Sequence, residues 1–147
     1  MTRFVSITSF RSSLSALLKV KRGVYAGIPA EICNAFKGVP IDQIRANHDK
    51  ILIDNDSIII KLRLPDKRNH LSKADGYRLI YLVMRNLPVV ALLAIYPKRG
   101  PMQKLDLGAN ELVHLLEAFK SEAFTHQIGI HDINDNLRFF TPMDSQN

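Results

Sequence analysis

Apolar and polar positions alternate over Arg3–Ile7 (RFVSI), which predicts a first strand. Thr8 or Ser9 then offers an N-cap, and Phe10, Leu14, Leu17 and Leu18 recur at helical spacing, predicting a helix to about Lys21. Gly23 breaks it. Val24–Phe36, with Ile28, Ile32 and Phe36 four apart and Pro29 near the start, predicts a second helix, so the two read as a helical hairpin. Pro40 and the polar run around Asn47–Asp49 form a connection. From Lys50 the period changes to that of strands: Ile51–Ile53, a turn at Asp54–Asp56, then Ser57–Leu64. The charged stretch Pro65–Asp75 reads as a loop, Gly76–Arg85 as a strand, Val89–Tyr96 as another, and Pro97–Lys104 as a second basic loop. Asn110–Phe124 places Leu112, Leu115, Leu116 and Phe119 on one face and predicts an amphipathic helix. The rest, with a short apolar patch at 137–140, reads as polar and irregular. The pattern therefore predicts an α+β fold: a small antiparallel sheet of four or five strands, an N-terminal helical hairpin and a C-terminal helix, in one domain over residues 1–125 with a 126–147 tail.

The length, 147 residues, suits one domain, and 46% hydrophobic with 23% charged residues is globular composition. One cysteine, Cys33, excludes an internal disulfide and any multi-thiolate metal site. The longest strongly apolar run, Leu87–Tyr96, is 10 residues, too short for a membrane-spanning helix. No apolar core with a small-residue cleavage site follows Arg3, so the expected location is the cytoplasm.

Charge changes the picture further. The net charge of +6 is uneven: residues 61–104 hold 10 basic and 2 acidic groups, whereas residues 105–147 hold 2 basic and 7 acidic ones. A segment so basic is an electrostatic footprint for a polyanion, most simply a nucleic acid, although the same potential attracts an acidic protein partner and a plain solvated surface can be equally basic. Lys61 and Arg63 are two apart on one strand and share a face. Arg78 interrupts an apolar strand, and Lys98 and Arg99 follow the last one. If these strands are neighbours, five cations converge. Arginine presents a planar donor fork to phosphate, and a lysine crowded by cations becomes a candidate general base or acid. RNA supplies its own nucleophile, the 2′-hydroxyl, so cleavage there needs a base, charge stabilisation and an acid but no metal. His70 in the basic loop is a further candidate proton donor. His126, His131 and Asp132 fit no standard ligand spacing, so no metal or cofactor is expected.

The stretch IIIKLRLPDKRNHLSKADGYRLIYLVMRNLPVVALLAIYPKRG resembles the core of the RelE/ParE superfamily of bacterial toxins, which show a K-x-R strand, then G-Y-R-[LV]-[IV]-Y, then an apolar strand ending in Lys or Lys-Arg. Residues 73–78 also resemble a loop of its HigB-like branch. The resemblance implies a metal-independent endoribonuclease that cuts mRNA, often on the ribosome. A cognate acidic antitoxin holds such a toxin inactive, and the pair represses its own operator DNA. By position, Lys61, Arg63, Arg78, Lys98 and Arg99 match the catalytic cations, while Lys67, Arg68, Lys73, Tyr96 and Lys104 are the expected RNA contacts. The chain departs from the pattern at Ile59, basic in some members, and at Leu105, where some carry a stacking tyrosine that Tyr96 would replace. Two other readings remain: a ParE-like inhibitor of DNA gyrase without enzymatic activity, and an inactive antitoxin-binding relative.

Overall fold

The computed structural model describes residues 1–140. Its strands are β1 (Arg3–Ser6), β2 (Lys50–Ile53), β3 (Ser57–Leu64), β4 (Tyr77–Met84), β5 (Val89–Pro97), β6 (Gly129–Asp132) and β7 (Arg138–Phe140); its helices are α1 (Thr8–Leu18), α2 (Ile28–Phe36), α3 (Ile41–Arg45) and α4 (Ala109–Phe124). The strands form one seven-stranded sheet in the order β2-β3-β4-β5-β1-β6-β7. β1 pairs parallel to β5 and every other neighbouring pair is antiparallel. This overturns the expected small antiparallel sheet of four or five strands. The chain between β1 and β5 supplies the long crossover that a parallel pair requires.

The expected helical hairpin is also overturned. α1 ends at Leu18, and a 3₁₀ turn at Lys21–Gly23 with Arg22 and Gly23 at positive φ redirects the chain. α1 packs on β5 whereas α2 packs on β3, so the two cover different strands. The N-cap of α1 is Ile7 rather than Thr8 or Ser9; from α4, Glu122 Oε1 accepts both the Thr8 N–H and its Oγ1–H at 2.8 Å. α2 begins at Ile28, four residues later than its apolar spacing suggested.

β4 and β5 are apolar along nearly their whole length because both sit inside the sheet with both faces covered. On the face that meets α2, Phe36 packs edge-on against Tyr81 with ring centroids 5.2 Å apart, and Tyr25 packs against Tyr77 at 6.3 Å. No helix among the described residues is long and apolar enough to cross a membrane.

Part of the expected 126–147 tail belongs to the sheet: β6 extends β1 and β7 extends β6. Residues 141–147 lie outside the described residues. A buried polar contact fastens β6 to β1. The Ser6 hydroxyl lies 2.7 Å from His131 Nε2, His131 Nδ1 lies 2.9 Å from the Leu137 carbonyl, and Arg11 donates to Ser6 Oγ at 3.1 Å and to the Ser6 carbonyl at 2.7 Å. Burial and the nearby Arg11 charge lower the His131 pKa from its ordinary 6.5, outweighing the Leu137 carbonyl. The unfolded chain therefore binds this proton more readily than the folded one, and the contribution of His131 is fully present above 6.5 and fades as pH falls. The protection of the β6 amides, measured relative to their intrinsic exchange rates at each pH, is expected to fall between pH 7 and pH 5, and His131→Phe to flatten that response; an unchanged pH profile of protection in the variant would contradict this.

Candidate functional site

Antiparallel register decides which cations share a face. Arg63 lies directly opposite Arg78, and Arg78 directly opposite Tyr96, so these three form one row across β3, β4 and β5. Lys61, two residues before Arg63, and Lys98, two residues after Tyr96, project from the same side. Lys61, Arg63, Arg78, Tyr96 and Lys98 are thus gathered at one end of one face.

Their focus is a carboxylate that sequence reasoning missed. Asp106, in the loop between β5 and α4, lies 3.7 Å from Lys61 Nζ and 3.6 Å from Lys98 Nζ and accepts the Tyr96 hydroxyl at 3.1 Å. Its side chain is 57% exposed. Partial burial raises its pKa, but the Tyr96 hydrogen bond and the charges of Lys61, Lys98 and Arg78 outweigh that, so it is held below the usual carboxylate range. No spacing motif marks Asp106. The sequence signal was only that an acid stands two residues past the basic loop.

Arg78 is 5% exposed and already committed: Nη1 donates to the carbonyls of Lys73 (2.9 Å) and Tyr77 (3.2 Å), Nη2 to that of Ala74 (2.8 Å). These bonds engage at most three of five N–H donors and pin the loop before β4 to the sheet. Burial and then the charge of Arg63 lower its pKa. Tyr96 is 4% exposed, so its ring is not free to stack on a base; burial, then Asp106, pushes its hydroxyl pKa up.

The remaining cations stand at the margin or elsewhere. Arg99 pairs with Asp75 at 2.6 Å and Lys104 with Glu111 at 3.4 Å. The Lys73 carbonyl holds Arg78 while its side chain stays exposed. Lys67 and Arg68 occupy a 3₁₀ turn docked on the α1–α2 connection, where Arg68 Nε donates to the Gly23 carbonyl. His70 ends that turn, exposed, in the left-handed conformation. Cys33 is buried, and burial pushes its thiol pKa up. No group of three metal-ligating side chains exists among the described residues.

Chemically, the row offers two amines and exposed Arg63 around one ionised carboxylate. The cations suit an anion, and the carboxylate beside them suits the acceptance of a proton. No family model and no curated protein matches the chain.

Proposed function

We propose that this chain is a metal-independent endoribonuclease acting on mRNA, the toxin half of a toxin–antitoxin pair of the RelE/ParE kind, held inactive by an acidic antitoxin. The observation that carries the reading is the gathering of Lys61, Arg63, Arg78 and Lys98 around Asp106 and Tyr96 on one sheet face. In the proposed reaction the 2′-oxygen attacks the adjacent phosphorus, the 5′-oxygen leaves, and a cyclic phosphate remains. Lys61 and Arg63 stabilise charge on the phosphorane. Arg78 positions the loop and lends its charge. Asp106, ionised at neutral pH, accepts the 2′-hydroxyl proton, and Lys98 returns one to the leaving oxygen. Arg99, tied to Asp75, acts at the periphery.

Purified protein is expected to cut single-stranded RNA in excess EDTA and leave cyclic phosphate ends. Expression in cells is expected to arrest growth with cut message. Arrest with DNA damage and intact message would replace this reading with gyrase inhibition, and no arrest would leave a binding protein.

A further inference from the structure

The sheet order leaves two edges, β2 and β7. The outer side of β2 has no partner among the described residues. The Asp54 N–H donates inward to the Ser57 carbonyl at 2.9 Å, so the Ile53 N–H, one residue earlier, faces the open side. Ile53 is 59% exposed, and Ile51 and Leu52 are half-buried. An uncovered apolar edge of this kind is a template for another strand. Lys50–Asp54 reads Lys-Ile-Leu-Ile-Asp, apolar at its centre with opposite charges at its ends. Turned end for end, the segment meets its own complement. The other edge, β7, reads Arg-Phe-Phe and sets no acid opposite Arg138 within its described residues.

From this pattern we infer that β2 pairs antiparallel with β2 of a second copy of this chain, centred on Leu52, to form a twofold dimer. In that register Lys50 of each copy faces Asp54 of the other, Ile51 faces Ile53, and Leu52 faces Leu52. Opposite charges and aliphatic side chains directly across antiparallel strands are favourable pairs. Lys50 Nζ donates to the Asn47 carbonyl at 2.9 Å, an exposed bond that it exchanges for the carboxylate. Asp54 Oδ2 accepts Lys120 Nζ at 2.9 Å, and a carboxylate has lone pairs for a second ammonium. The contact is isologous, so it closes on itself and occupies the β2 edge of both copies. Two features keep it weak. A bulge between Lys50 and Leu52 shortens the regular pairing, and a four-residue strand buries far less than a standard interface. The dimer is therefore transient and forms as concentration rises. The inference goes beyond the ribonuclease reading and fails separately: there the failure is uncut RNA, here a mass that ignores concentration.

Sedimentation equilibrium of the full chain from about 1 μM to about 1 mM tests it, at about 0.15 M salt because two copies at +6 repel at long range. The average mass is expected to rise toward that of a dimer. At the top concentration, exchange at the Ile53 amide is expected to slow about threefold or more while the β7 amides are unchanged. Lys50→Asp alone sets acid against acid, and Asp54→Lys alone sets lysine against lysine, so each is expected to weaken self-association about tenfold. Mixing the two variants restores an opposite-charge pair at both ends, so the mixture is expected to associate as the wild type does. Neither side chain is buried, and circular dichroism checks that each variant is folded. Four outcomes would overturn the inference: a monomer mass up to about 1 mM, association that leaves the Ile53 amide unprotected, protection of β7 instead, or folded variants whose mixture associates no better than either alone.

Discussion

Gly76→Ala is expected to lower stability by about 3 kcal/mol or more, the upper part of the range for overpacking a well-packed site. Gly76 has no unusual φ; what it lacks is room. A Cβ there would overlap the Leu64 carbonyl oxygen and come within 2.9 Å of the Asp66 nitrogen and the Pro65 carbonyl carbon. All three are backbone atoms at the end of β3, so no side chain can swing away. The Gly76 carbonyl also accepts the Lys98 N–H at 2.9 Å, so the strain would reach the end of β5 and the candidate site with it. For a chain of this size the loss corresponds to a fall of roughly 6–12 °C in melting temperature. Gly38 is the control. Its φ of +74° strains any L side chain, yet an added Cβ meets nothing within 4 Å, so Gly38→Ala is expected to cost only about 1 kcal/mol. Thermal unfolding of both variants checks the contrast, and equal losses would contradict it.

The largest expected effect on activity belongs to the two lysines flanking Asp106. Lys61→Ala and Lys98→Ala are each expected to reduce RNA cleavage about 10²–10³-fold, the scale for removing one preorganised charge-stabilising group at Lys61 and one positioned proton donor at Lys98. Both side chains are about one-fifth exposed and neither is buried in the core, so melting temperature should hardly move. Arg78→Ala should lose cleavage too, but for a mixed reason: its removal also frees the Lys73, Tyr77 and Ala74 carbonyls, and the loop before β4 should loosen. Comparing exchange of that loop in Arg78→Ala and Lys61→Ala separates positioning from direct charge stabilisation. Asp106→Asn leaves Lys61 and Lys98 without their shared carboxylate. It is expected to destabilise the fold at low salt, with phosphate restoring stability, and to abolish proton transfer. If Asp106→Asn cleaves RNA at the wild-type rate, Asp106 is not the base.

The central strands were legible because their signals are local. Ser57–Leu64 alternates with a basic tip and Val89–Tyr96 is continuously apolar, and both fall within a residue of β3 and β5. The amphipathic helix at 110–124 likewise matches α4 within one residue. β6 and β7 were not legible. GIHD and RFF are too short and mixed to show a period, and they become strands only because β1 presents an edge far away in sequence. The start of α2 was misplaced because Ile28, Ile32 and Phe36 fix a helical face but not where it begins, and the preceding turn carries apolar Val24 and Tyr25 for packing. At the site, the Lys61–Arg63 pair and Arg78 could be placed once strand neighbours were assumed. Asp106 could not, since its position depends on how the loop after β5 folds back. Tyr96 looked like a stacking ring in the sequence, but register places it inside the row, where its hydroxyl serves Asp106.

The most direct measurement is the salt dependence of binding to a single-stranded RNA by the wild type and by a Lys61→Ala, Lys98→Ala double variant. If both lysines meet phosphates, the slope of log affinity against log salt should shrink by about 1.4 in the variant, two contacts at about 0.7 each. An identical slope in the two proteins would show that RNA, if bound at all, does not bind at this face.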